Sequence, residues 1–250
     1  MTKVFVHGNP ETAAIWKPLI AELAHRGISD VVTLSPPGFG SPTPEGWGAT
    51  RIEYREWLAE QLRIFSEPVD LVGHDWGAGH TYGVITEYPH LVRSWAADCA
   101  GLLHKDYVWH DAAQSWQTPD VGETMVNGMV ELDDATFIEA FAALGMGQEI
   151  AGEVKKAINS EMARCILALY RDAAQPVMSE LGKEFGAVKP KNGLVIVAEE
   201  DHYAGPLSSH EEIARSLNAS VAHIPKCGHW WMIENPVLGA DILISHWKSL

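Results

Sequence analysis

The chain has 250 residues, of which 46% are hydrophobic and 20% charged, an ordinary globular balance with ample material for a core. The length suits one large α/β domain, or such a core carrying an insert. A formal net charge of −15 argues against nucleic acid and anionic membranes as partners, and its plain consequence is solubility.

Lys3–Val6 is a short β-branched run that ends at His7-Gly8-Asn9-Pro10, a buried strand entering a loop. Residues 15–25 carry Ile15, Leu19, Ile20 and Leu23 at helical spacing. A second strand is predicted at 30–35, closed by the turn-rich run from Pro36 to Pro42, then an amphipathic helix at 54–65. Strand 69–72, helix 77–88 and strand 92–99 follow. This alternation implies a mostly parallel sheet with helices on both faces. From 104 to 185 strand signals vanish and helical periods take over, with Trp109, Trp116, Phe137, Phe141, Leu167 and Tyr170 among the large residues. Alternation resumes with strand 194–198, helix 209–217, strand 220–224 and helix 236–247. The expected organisation is an α/β core of residues 1–103 and 186–250. A helical cap, residues 104–185, roofs the strand ends where open-sheet sites lie.

Gly73-His74-Asp75-Trp76-Gly77 follows a strand and opens a helix, which is the context of a nucleophile elbow. Glycines two before and two after the central residue let strand and helix approach closely. The usual elbow centres on serine, and here the centre is Asp75. A carboxylate is already an anion and can displace a leaving group at saturated carbon, forming an ester between Asp75 and substrate. A histidine is then free to activate water against that ester. The oxyanion of this second step sits on the nucleophile's own oxygen, so donors must point there.

The elbow resembles that of the α/β-hydrolase fold, and the fold's order of nucleophile, acid and histidine implies the rest of the site. His229, in the loop after the last strand, has the setting of the base, alone among twelve histidines. His74 neighbours Asp75, but the elbow directs it elsewhere. Asp201, at the end of Val197-Ala198-Glu199-Glu200-Asp201, is the orienting acid. Glu199 and Glu200 read as solvated loop charges, and Asp98 is a weaker candidate for the same role. The oxyanion donors implied are the backbone N–H groups of Trp76 and Asn9.

More closely, these residues resemble the epoxide hydrolase and haloalkane dehalogenase branch of that superfamily, from His7 to Trp247. The family usually has strands ahead of the H-G loop, and this chain begins almost at that loop, so about six parallel strands are expected, with the N-terminal ones missing. Epoxide hydrolases protonate the departing oxygen with two cap tyrosines. Tyr170, in Leu169-Tyr170-Arg171, matches the second, and Tyr107 is the candidate for the first. Dehalogenases bind the halide through the indole beside the nucleophile and an Asn in the H-G-N-P loop, which Trp76 and Asn9 match. The resemblance therefore implies epoxide hydrolysis to a vicinal diol, with haloalkane dehalogenation as the alternative. A ligand-binding protein that has lost its chemistry is the reading from another class.

The implied partners are a small apolar organic substrate and water, without nucleic acid or membrane. No cofactor and no metal is expected: the histidines are scattered, and neither a metal motif nor a P-loop occurs. No signal peptide opens the chain, and no run approaches the ~18 apolar residues of a membrane span. The odd count of three cysteines, Cys99, Cys165 and Cys227, fits reduced thiols and a cytoplasmic protein.

Overall fold

The computed structural model describes residues 1–188 and 190–250. β1 (Lys3–Val6) leads through a short 3-10 turn to α1 (Lys17–His25), followed by β2 (Val31–Leu34), α2 (Arg51–Leu62), β3 (Val69–Gly73), α3 (Trp76–Glu87) and β4 (Val92–Ala97). Six helices come next: α4 (Asp111–Gln117), α5 (Val121–Glu131), α6 (Asp134–Phe141), α7 (Gln148–Lys155), α8 (Ser160–Asp172) and α9 (Val177–Val188). The chain then returns to β5 (Gly193–Ala198), α10 (Leu207–Ser216), β6 (Ser220–Ile224), α11 (Trp231–Glu234) and α12 (Pro236–Lys248). This is the α/β architecture expected from the alternation, a six-stranded sheet flanked by helices, as the resemblance to the α/β-hydrolase fold also implies.

All six strands are parallel, in the order β2-β1-β3-β4-β5-β6. The period of two in each strand covers both faces. Val4, Val6, Val69 and Leu71 pack with Leu58 and Leu62 of α2 and Val84 of α3. Phe5 and Val72 face the other way and join Trp16, Leu19 of α1 and Leu243 of α12. Because β2 lies to one side of β1 and β3 to the other, the order reverses between β1 and β3. Loops leaving the carboxyl ends of two such strands diverge and open a crevice, where ligands bind in open α/β sheets. The loop after β1 and the elbow after β3 both start there.

The helical stretch between β4 and β5 does not all lie above the sheet. Its last helix, α9, packs beside α3. Phe185 of α9 sits 5.4 Å, ring to ring, from both Tyr82 and Trp95. The elements expected from sequence recur with shifts at their ends. α2 starts at Arg51 because Thr50 and Glu53 form a reciprocal capping box, which satisfies amides that the apolar periodicity does not report.

Candidate active site

Asp75 sits between β3 and α3 with φ 52° and ψ −123°. That backbone is strained for a residue with a Cβ and turns the side chain out of the sheet. The turn exists because neighbouring backbone can come very close. A Cβ on Gly77 would meet the Val6 carbonyl oxygen at 2.2 Å, and one on Gly8 would meet Asp75 Oδ2 at 2.0 Å and the Trp76 nitrogen at 2.5 Å. Only glycine fits at either position.

The Asn9 N–H donates to Asp75 Oδ2 at 2.9 Å. Trp76 opens α3, where helix geometry leaves its N–H without an intrahelical acceptor, against the same Gly8. His229 Nδ1 is 2.8 Å from Asp201 Oδ2, and Asp201 Oδ1 accepts the Tyr203 N–H at 2.8 Å. His229 Nε2 stands 3.8 Å from Asp75 Oδ1, beyond hydrogen-bond length. The structure thus brings Asp75, Asn9, Trp76, His229 and Asp201 into one cluster. Glu199 and Glu200 are exposed. Asp98 is not beside His229: it bonds the other histidine, His74, at 2.6 Å.

The charges follow from burial and pairing. Burial alone would depress His229, but Asp201 and Asp75 outweigh it and hold the imidazole up at about 9. Asp201 stays ionised against its burial, pulled down to about 2 by His229 and the Tyr203 N–H. Burial raises Asp75 above the usual carboxylate range, opposed chiefly by His229.

A cavity of about 180 Å³ opens above Asp75, with Asn9, His229 and Trp230 on the sheet side. Trp116, Met129, Phe141, Leu144 and Tyr170 close it from the helical stretch. It is smaller than the ~300–1,000 Å³ typical of drug-sized sites, and its walls are mostly apolar. Tyr170 is buried, with its ring edge-on to the indole of Trp76 and the centroids 5.3 Å apart. Burial first, then the charge of Asp75, keep that phenol protonated. Both polar atoms of the Asn9 amide are buried without a partner among the described residues. Tyr107 does not line that cavity. Its hydroxyl donates to the Tyr203 carbonyl at 2.7 Å, and it borders an adjoining void of about 10 Å³ that Asp75, His110 and Tyr170 also line.

One wall residue escaped the sequence reading. His110 borders the cavity beside Tyr203, and its Nδ1 accepts the Ala113 N–H as the N-cap of α4. A backbone N–H can only donate, so Nδ1 is bare. Burial, with His229 adding, pushes the ring down to about 4, so at neutral pH it is uncharged and carries its proton on Nε2. The signal was local: a cap position before the run from Asp111, occupied by histidine rather than Ser, Thr, Asp or Asn.

Glu11, His74 and His229 place three metal-capable atoms within 4.8 Å of one another. Two of these three side chains are already paired: Glu11 Oε1 binds both His74 Nε2 and the Trp230 indole N–H. An ion there would have to break both bonds, and the arrangement does not suit one.

The model of the alpha/beta hydrolase family matches residues 4–242. The chain belongs to the alpha/beta hydrolase family. This hydrolase also superposes on solved structures across its whole length. A loop variant of a haloalkane dehalogenase from Bradyrhizobium elkanii matches with a TM-score of 0.74 at 18% identity, covering 99% of this chain and 90% of that one. E-2-(acetamidomethylene)succinate hydrolase gives 0.74 at 18% identity, covering 99% and 91%. A thermophilic esterase from Thermogutta terrifontis gives 0.74 at 17%, covering 100% and 90%. At such identities the likeness is one of fold, and it spans a dehalogenase, a hydrolase and an esterase. No helix among the described residues is long and apolar enough to cross a membrane.

Proposed function

We propose that this hydrolase opens epoxides to vicinal diols through an alkyl ester on Asp75. The observation that carries the reading is one apolar cavity bordered by both a carboxylate nucleophile and a protonated phenol, Asp75 and Tyr170. An Asp75 oxygen attacks a ring carbon, the carbon–oxygen bond breaks, and the departing oxygen takes the proton of Tyr170. Esterification removes the Asp75 charge that helps hold the proton on His229; the ring gives that proton to solvent and, oriented by Asp201, takes one from water, whose oxygen adds to the ester carbon. The N–H groups of Asn9 and Trp76 stabilise the oxyanion. Collapse breaks the bond from the ester carbon to the substrate oxygen, which takes the water's remaining proton and leaves as the diol with Asp75 again a carboxylate, and the proton on His229 restores Tyr170.

The Nε2–H of His110 is the second donor to the departing oxygen in this reading. Tyr107, whose hydroxyl is bonded to Tyr203, instead braces the loop that carries Asp201. The substrate is small and largely apolar, as the cavity is. All three cysteines are buried and unpaired, which suits the reducing cytoplasm we infer for the protein.

The unpartnered Asn9 amide favours a second reading, haloalkane dehalogenation with the same ester, because an amide N–H binds a halide without proton transfer. Styrene oxide, 1,2-epoxyhexane and 1-bromobutane, followed for diol and bromide, separate the two. The His229→Gln protein should retain the alkyl group of its substrate, seen as added mass on the peptide containing Asp75. Bromide release without diol formation selects the second reading. No adduct with any of the three overturns the ester mechanism.

A further inference from the structure

His74 sits directly behind the nucleophile, fully buried, with a carboxylate on each ring nitrogen. Nδ1 is 2.6 Å from Asp98 Oδ2 and Nε2 is 3.1 Å from Glu11 Oε1. Ionised carboxylates only accept, so both nitrogens donate and the ring is an imidazolium. An isolated charge this deep is prohibitively costly, and here it is offset on both sides.

The remaining acceptor positions of the two carboxylates reach the catalytic loops. Glu11 Oε2 accepts the Gly8 N–H at 3.1 Å, next to the oxyanion donor Asn9. Glu11 Oε1 accepts the Trp230 indole N–H at 2.5 Å, next to His229. Asp98 Oδ1 accepts the N–H of Asp75 itself at 3.0 Å, and Asp98 Oδ2 accepts the Trp231 indole N–H at 2.7 Å. Through one imidazolium, the loop after β1, the elbow and the His229 loop share a single network. The His74 and His229 rings are 4.5 Å apart, centroid to centroid.

We infer that His74 is a positioning residue that holds the oxyanion donors in register with the nucleophile, and that its loss slows breakdown of the alkyl-enzyme more than its formation. This rests on the ester reading above, but not on which leaving group departs. The two steps use the cradle differently. In the first, the Asn9 N–H stabilises the carboxylate before attack, so a looser bond does not weaken the nucleophile. In the second, negative charge develops on the oxygen that Asn9 and Trp76 face, and the donors count only if placed correctly. Loss of the nearby positive charge also falls on that step, where an anion forms beside His229.

The test is a rapid-quench measurement of alkyl-enzyme on His74→Gln, using whichever of styrene oxide, 1,2-epoxyhexane and 1-bromobutane the wild type turns over. Breakdown should slow by about 10–100-fold, short of the ~10²–10³ lost with an oxyanion donor itself. Formation should stay within about threefold, so ester accumulates. Glu11→Gln removes one charge but keeps a side chain of the same shape. It should shift the balance the same way, and it is the variant to read if His74→Gln does not fold. Folded variants whose formation and breakdown slow equally, or not at all, overturn the inference while a His229→Gln adduct leaves the ester reading standing. Absence of adduct in His229→Gln overturns both.

Discussion

His229 Nε2 lies 3.8 Å from Asp75 Oδ1, while its other nitrogen is only 2.8 Å from Asp201. The base is therefore anchored to its orienting acid and stands clear of the nucleophile. Asp75 keeps that oxygen free for attack, and Nε2, not bonded to it, becomes available to water once the ester forms and the ring gives up its proton.

This separation predicts different defects at the two ends of the cluster. Asp75→Asn should abolish both steps. His229→Gln should still form the ester and then stall, with steady-state turnover falling by roughly 10³-fold or more. Intact-protein mass spectrometry after substrate addition checks both, since only the histidine variant should gain mass.

The tyrosines should divide sharply. Tyr170→Phe removes a proton donor from the cavity and should lower epoxide turnover by roughly 10²–10⁴-fold. Tyr107→Phe removes one buried hydrogen bond to Tyr203 and should cost about 1 kcal/mol of stability, with turnover changed only a few-fold. Parallel kinetics and denaturant melts on both variants make the comparison. Equal losses of epoxide turnover would put Tyr107 back among the donors.

His229 should give stability a recognisable pH dependence. Its folded value, about 9, lies above the ordinary 6.5 because Asp201 and Asp75 outweigh burial. The stabilisation it provides is complete below pH 6.5 and is lost as pH rises through 9. Denaturant titrations should show wild type losing stability across that window, with a flatter curve for His229→Gln. Esterification also removes the charge of Asp75, one of the two carboxylates that raise His229. Ester breakdown in single turnovers should accordingly rise with pH around a midpoint below 9.

The elbow stores strain that can be released at the expense of function. Asp75 at φ 52° costs about 1–3 kcal/mol, and glycine at that position gives back about 0.5–1 in backbone entropy. Asp75→Gly should therefore be inactive and more stable by about 1 kcal/mol. Gly8→Ala should be inactive and less stable, since its methyl would overlap Asp75 Oδ2. Thermal melts of the two decide the signs.

That Asp75, Asp201 and His229 meet at one place was legible because each ends or follows a strand and carries chemistry in its residue type. The six strands were legible because β-branched runs end at glycine and proline turns. The strand order was not, since nothing in Lys3–Val6 says that its neighbours lie on opposite sides. Glu11 carried no signal in the sequence, and Asp98 read as a rival to Asp201. Their shared partner, His74, becomes visible only when three loops meet at one point. Tyr170 and Tyr107 were both candidate proton donors, and only folding decides which hydroxyl is consumed by a backbone carbonyl. His110 was hidden because capping and cavity-lining are one position seen from two sides.

Phe185, wedged against Tyr82 and Trp95, bears on how a substrate gets in. The helical stretch is fastened at its far end by α9, and at its near end by the buried residues Ala100 to Leu103. Between those stems, in the turn from α6 to α7, Leu144 combines 51% exposure with a place on the cavity wall, so it stands where the cavity above Asp75 meets solvent. Enlarging or shrinking that side chain is a way to change which molecules enter without touching those that react.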